Sequence, residues 1–158
     1  MKLQRSLCRL LVLVVGMAIG TPSTAWAALS NCTIGTVIPV AFGTYNVFAA
    51  TALTVNGSIA LSCGGNGSAT VTLDKGQHSS SFVSRAMQQT GGATLLAYNL
   101  YTDAATTIVW GDGTGGTTTQ TVSGNHPSVT LTVFGKVGAG QDVGAGSYSD
   151  TVVITVNF

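Results

Sequence analysis

Charged residues are scarce in this sequence, and glutamate is absent. Lysine, arginine and aspartate together make up 7% of the 158 residues, and the net charge at pH 7 is +1. An electrostatic nucleic-acid site requires clustered lysine and arginine, so the composition argues against a nucleic-acid partner. The five aspartates are dispersed along the chain and provide no adjacent carboxylate pair for acid–base catalysis.

Histidine is equally rare, since His78 and His126 are the two in the chain. Neither has a sequence neighbour that would make it a catalytic base or a metal ligand. The serines at residues 79–81 lack the glycines of a nucleophile elbow. Residues 111–116 (GDGTGG) lack the lysine of a phosphate-binding loop and the alternating acids of a calcium loop, so we interpret them as a turn. The sequence therefore predicts a protein that is not an enzyme and holds no metal and no cofactor.

The N-terminal segment has the organisation of a secretory signal peptide. Three basic residues precede an apolar run at residues 10–19, and residues 25–27 (AWA) match the small-x-small cleavage pattern. The apolar run is shorter than the roughly 20 residues that a membrane-spanning helix needs. We therefore predict a signal peptide at residues 1–27, one mature domain at residues 28–158, and no membrane span after cleavage.

Cleavage after Ala27 would remove Cys8 and leave Cys32 and Cys63. An even pair of cysteines in an exported chain predicts a disulfide, with two free thiols as the alternative. Closing a loop of this length would add about 3–4 kcal/mol of stability in the chain-entropy model. A zinc site is disfavoured because two cysteines without clustered histidines cannot complete a tetrahedral shell.

The mature chain has no apolar repeat of helical period, and its threonine and glycine content disfavours helix. Short runs alternate polar and apolar residues instead, which is typical of half-buried strands. These runs lie at residues 37–42, 58–63, 68–73, 96–100, 108–110, 128–133 and 151–158. Pro39 makes the first run an edge or irregular strand, and residues 117–121 (TTTQT) predict a solvent-facing strand or loop. About seven short strands between glycine-rich turns predict an all-β, antiparallel β-sandwich.

Four aromatic residues leave a second function open. Tyr98, Tyr101, Trp110 and Phe134 lie on or beside predicted strands, where aromatic side chains can line a carbohydrate site or fill a core. The alternative function is therefore a self-complete, extracellular carbohydrate-binding β-sandwich.

Several motifs, in the same order along the chain, resemble the spore coat protein U domain family. They are Cys32-Thr33, residues 42–45 (FGTY), 61–63 (LSC), 96–103 (LAYNLYTD), 110–113 (WGDG), 134–136 (FGK) and 146–153 (GSYSDTVV). That family includes subunits of archaic chaperone–usher pili in Gram-negative bacteria and proteins of the myxobacterial spore coat. The resemblance implies an incomplete immunoglobulin-like sandwich whose last strand is supplied in trans, with a disulfide between its first two strands.

The resemblance also implies partners and a binding site. A periplasmic pilus chaperone would fill the groove left by the missing strand, and a neighbouring subunit would replace it after delivery to the outer-membrane usher. The groove would lie beside residues 151–158, lined by Val152, Ile154, Val156 and Phe158, which are expected to face the core. The chaperone would hold the terminal carboxylate of Phe158. The protein would be exported through the periplasm to a fimbrium or coat at the cell surface.

The N-terminus departs from the pattern of pilus-forming members of the family. Cleavage after Ala27 leaves residues 28–31 before Cys32, and four residues reach about 13 Å. Such a segment is too short to supply three or four groove-filling side chains. We therefore expect a strand acceptor that does not donate, as a terminal or minor subunit. A coat protein that is complemented differently, or cleavage near Gly20, remains an alternative.

Overall fold

The computed structural model describes residues 31–65, 67–124 and 126–158, so the predicted signal peptide lies outside the described residues. Within these ranges the chain forms nine strands, one 3-10 turn at Phe82–Ser84, and no α-helix. The strands are β1 (Asn31–Ile38), β2 (Leu53–Gly64), β3 (Ser68–Leu73), β4 (Arg85–Gln89), β5 (Leu95–Tyr101), β6 (Gln120–Ser123), β7 (His126–Val137), β8 (Tyr148–Ser149) and β9 (Ile154–Asn157). The prediction of an all-β fold is confirmed.

The strands form two antiparallel sheets that share one core. The larger sheet has six strands in the order β1-β2-β7-β5-β4-β8, and the smaller sheet has three in the order β6-β3-β9. The long pair β2–β7 runs in register from Leu53 opposite Val137 to Leu61 opposite Val129. This arrangement confirms the predicted antiparallel sandwich.

Alternation along the strands places one face of each sheet in the core. The buried apolar residues of β2, β3 and β5 are Ile59, Leu61, Cys63, Ala69, Val71, Leu73, Leu96, Tyr98 and Leu100. Trp110 lies between the sheets with 0% exposure, and its indole Nε1 donates to the Val71 carbonyl at 3.0 Å. The period of two in the sequence therefore identified the core-facing residues of the central strands.

Several details of the strand prediction need correction. Residues 109 and 110 form only isolated bridges, and the terminal strand covers Ile154–Asn157 and not all of residues 151–158. β1 ends at Ile38, so Val40 and Phe42 lie outside it, because Pro39 has no N–H with which to continue the ladder. Thr117 is buried and does not face solvent. Its hydroxyl donates to the Thr114 carbonyl at 2.7 Å, which holds it inside the turn before β6.

The predicted disulfide between Cys32 and Cys63 is confirmed. The two residues lie directly opposite each other in the β1–β2 pair, with their Cα atoms 4.2 Å apart. The disulfide therefore fixes the register of β1, which is an edge strand of the larger sheet.

Candidate partner-strand groove

The smaller sheet has half as many strands as the larger, so it spans only part of the larger sheet's inner face, whose side chains are buried. A groove of about 1240 Å³ lies over this face, beside β9. Its floor consists of core side chains from β2, β3, β4, β5 and β7: Ile59, Leu73, Met87, Leu96, Tyr98, Leu100, Val133 and Val137. One side is formed by residues 37–48, which we call the first wall. The other is formed by residues 143–152 with Ile154, the second wall.

The first wall lies close to the larger sheet because two glycines face it. A Cβ at Gly57 would come within 2.6 Å of the Ile38 carbonyl oxygen, and one at Gly135 within 2.9 Å of the Phe42 ring. Such distances are too short for real contacts, so glycine is required if the wall is to keep this position. Phe42 then packs edge-on against Tyr98, with ring centroids 5.9 Å apart.

The second wall belongs to the terminal segment, which passes from one sheet to the other. β8 pairs with β4 in the larger sheet, and β9 pairs with β3 in the smaller one. Asp74 holds the crossing point, because its backbone N–H donates to the Val153 carbonyl at 3.0 Å and its Oδ1 accepts from the Val153 N–H at 2.9 Å. Asp150 accepts from the Gln77 N–H at 2.9 Å and from the Tyr98 hydroxyl at 2.7 Å.

The groove is largely apolar, and Asp150 is the charged residue in its lining. Burial raises the pKa of the Tyr98 hydroxyl, and the hydrogen bond to Asp150 raises it further. Tyr98 is therefore a hydrogen-bond donor throughout the physiological range. In the part of the chain that the structure describes, no three His, Cys, Asp or Glu residues cluster as a metal site would require.

Arg85, the first residue of β4, is a buried charge that no sequence pattern singled out. Its guanidinium is fully buried and donates to the carbonyls of Asp74 and Trp110 and to Asn99 Oδ1, at 2.6–2.9 Å. It also lies 5.6 Å from the centre of the Phe82 ring. Arg85 therefore links the turn after β3 to β5 and to Trp110, across the two sheets.

The predicted groove residues occupy different positions. Val152 and Ile154 line the groove, whereas Val156 packs against the core outside the groove lining. Phe158 was expected to face the core, but it lies beyond the end of β9 and is 60% exposed. The reason is that the β3–β9 pairing ends with Asn157 opposite Thr70. The role of these residues in binding a partner strand stays a prediction.

Alternation at residues 37–42 predicted a strand, and the groove-lining role of the first wall was not predicted. Val40, Phe42 and Tyr45 pack against the core from a segment without strand pairing. Pro39 and the glycines within β2 and β7 were the available signals, since each marks a break or a close approach in a strand.

The aromatic residues do not form an exposed platform. Tyr98 is 7% exposed and Trp110 is 0% exposed, so both belong to the core. Tyr101 and Phe134 are half-buried and lie opposite each other in the β5–β7 pair. This arrangement argues against the alternative of a carbohydrate site built from all four.

No helix among the described residues has the length and apolar character needed to cross a membrane.

Comparisons with known proteins agree with this geometry. The family model of the Spore Coat Protein U domain matches residues 18–155. "Protein U" of Myxococcus xanthus is 34% identical over 127 residues, which cover 74% of this chain and 70% of that protein. A solved chain in the pre-assembly complex of the CsuC chaperone with the CsuE tip adhesion subunit, from archaic chaperone–usher Csu pili of Acinetobacter baumannii, is also similar. It is 25% identical with a TM-score of 0.58, and the match covers 81% of this chain and 40% of that one.

The similarity to the solved chain shows an immunoglobulin-like sandwich of the type found in pilus subunits, although this chain spans less than half of the solved chain's length. The family match covers most of the sequence and includes all of the groove lining. The chain belongs to the Spore Coat Protein U domain family.

Proposed function

We propose that this chain is a secreted structural subunit of an archaic chaperone–usher pilus, or of a related cell-surface or spore coat. It would assemble by taking up an extended strand of a partner. The observation that carries the proposal is the apolar groove beside β9. Membership of the Spore Coat Protein U family and the similarity to a chain of a chaperone–subunit complex support it.

The edge of β9 supplies the backbone part of such an interaction. Among the described strands β9 pairs with β3, and its other edge is open on the side of the groove. Unpaired N–H and C=O groups on an edge strand are a template for an added strand. A strand placed there would extend the smaller sheet from three strands to four.

The floor supplies the apolar part. Alternate side chains of an added strand point to one face, so every second residue would contact the floor. Three or four such residues, each contributing about 1.5–3 kcal/mol on burial, would give a gross gain of order 5–10 kcal/mol. A gain of that size is comparable to the whole stability of a domain, so the uncomplemented chain should be marginally stable.

The partners follow from the same mechanism. A periplasmic chaperone would donate the first strand, and a neighbouring pilus or coat subunit would replace it at the outer-membrane usher. A terminal or minor position in the fibre depends on cleavage after Ala27. N-terminal sequencing of the exported protein would show whether cleavage occurs after Ala27.

A melting experiment tests strand uptake. The full chain is exported, purified and heated with and without a short synthetic peptide of alternating valine and threonine. The peptide should raise the melting temperature of the wild type by several degrees, because it binds the folded state.

Two adjacent substitutions provide the matched comparison. Ile154→Asp places a charge in the groove and should abolish the stabilisation by the peptide. The Val153 side chain is 49% exposed and lies outside the groove lining, so Val153→Asp should retain most of the stabilisation by the peptide. Equal stabilisation of both variants and the wild type would refute binding in this groove.

A further inference from the structure

The Tyr45 hydroxyl joins the first wall to the segment that leads into the second. It donates to the Gly138 carbonyl at 2.9 Å and accepts from the Gln141 N–H at 2.9 Å. Tyr45 is half-buried and packs against the core, so its hydroxyl is held in place from both sides. We call this arrangement of Tyr45, Gly138 and Gln141 the Tyr45 clasp.

The Gln141 side chain fixes the other half of the clasp to the larger sheet. Its Nε2 donates to the Ala97 carbonyl at 2.8 Å, and its Oε1 accepts from the Ala97 N–H at 2.8 Å. β7 ends with Val137 opposite Tyr98, so Ala97 is the next residue of β5 without a β7 partner. The Gln141 side-chain amide thus makes, with the Ala97 backbone, the pair of hydrogen bonds that one more residue of β7 would make. It anchors the loop after β7 to β5.

The clasp lies where the two walls come together. Tyr45 belongs to the first wall, and the second wall begins at Val143, two residues after Gln141. A contact that joins the two walls can close the groove between them at that point. The first wall is also held by the pairing of Val37 and Ile38 with β2 and by the packing of Val40 and Phe42 on the glycines of the larger sheet.

Register is the problem that such a contact can solve. A slip of one residue turns the apolar side chains of an added strand away from the floor and is strongly disfavoured. A slip of two residues keeps every apolar side chain on the floor, so alternation alone cannot prevent it. A groove that is closed at one end removes this ambiguity, because a strand that slips toward the closed end has no room.

We infer that the Tyr45 clasp is an end stop that sets the length of the groove and thereby the register of the inserted strand. This inference rests on the proposed strand uptake and adds Tyr45 and Gln141 as positioning residues for it. Tyr45→Phe keeps the ring on the core and removes both hydrogen bonds. Opening the end should let the groove accept strands that are too long for the wild type.

The experiment compares peptide lengths on the full exported chain. Affinity is measured for the alternating valine–threonine peptide and for two versions, lengthened by one polar Asn-Ser dipeptide at either the N-terminus or the C-terminus, so that the two versions differ in sequence. The wild type should bind one of the lengthened peptides about tenfold more weakly than the parent, which corresponds to about 1.4 kcal/mol. Tyr45→Phe should lose that discrimination. Gln141→Met removes the anchor to Ala97 and should also lose the discrimination between the peptides. This variant keeps the test available if Tyr45→Phe does not fold.

Tyr101→Phe serves as the matched control, because it removes a tyrosine hydroxyl from a half-buried residue outside the groove lining. It should discriminate as the wild type does. Discrimination that is unchanged in both clasp variants would overturn the end stop and leave strand uptake standing. Absence of discrimination in the wild type would also overturn it. Failure of every peptide to bind the wild type would contradict the proposed function itself, and this inference with it.

Discussion

At the scale of single residues, the groove depends on glycines that lack a side chain and on aspartates that accept hydrogen bonds. Gly57 and Gly135 leave space on the larger sheet for the first wall. The carboxylates of Asp74 and Asp150 are occupied by N–H and hydroxyl donors from the turn after β3, from Val153 and from Tyr98. The polar groups beside the groove therefore hold the protein's own segments in place.

Replacing Gly135 by alanine should displace the first wall. The added Cβ would overlap the Val40 side chain and lie 2.9 Å from the Phe42 ring. Overpacking of this kind costs about 1–3 kcal/mol, which denaturant unfolding can measure. Gly35→Ala is the matched strand variant, since its Cβ would meet the Ala60 carbonyl oxygen at an ordinary 3.5 Å. A loss no larger than that of Gly35→Ala would show that the wall does not need the glycine.

The Tyr98 hydroxyl should make stability fall at alkaline pH. Burial raises its pKa in the folded state above the ordinary 10.0. The stabilising effect is therefore complete below pH 10.0 and decreases above it, because the unfolded chain then loses the proton that the folded chain retains. The decrease should reach about 1.4 kcal/mol per pH unit for this one proton.

Denaturant unfolding at several alkaline pH values measures this slope. Tyr98→Phe has no phenolic proton at this position and should show a flatter dependence. The same slope in the variant and the wild type would contradict a buried, protonated Tyr98.

At the scale of the elements, strands with regular alternation were predictable and the groove walls were not. Residues 96–100 and 128–133 alternate polar and apolar residues, and both lie within strands whose apolar side chains pack in or against the core. Val40, Phe42 and Tyr45 pack against the core without strand pairing, so the alternation at residues 37–42 predicted a strand where the chain forms a groove wall. The Tyr45 clasp joins positions more than 90 residues apart, and local patterns contain no information about such a contact.

The disulfide should stabilise β1 without affecting the groove. Cys32→Ser combined with Cys63→Ser removes a link across 31 positions and should cost about 3–4 kcal/mol. Urea unfolding of the double variant, and of the wild type after reduction, measures this loss. Neither cysteine lines the groove, so stabilisation by the alternating peptide should persist. Equal urea midpoints for oxidised wild type and double variant would contradict a structural role for the disulfide.

At the scale of the whole molecule, both groove walls are segments that leave one sheet. The first wall begins with the last two residues of β1 and then leaves the larger sheet, and the second wall runs through β8 in the larger sheet to the start of β9 in the smaller. The smaller sheet therefore stops at β9, above a floor that is already apolar. With few charges to keep molecules apart, an unfilled groove should also favour association between copies.

The most direct test of strand uptake is hydrogen–deuterium exchange on the full exported chain, with and without the alternating valine–threonine peptide. The account predicts that the peptide slows amide exchange at β9 and in the first wall together, because both border the groove. Residues 31–36 of β1, which precede the first wall, and β6 do not line the groove and should exchange at unchanged rates. Protection at residues 31–36 or β6 in place of β9, or no protection at a saturating peptide concentration, would contradict the account.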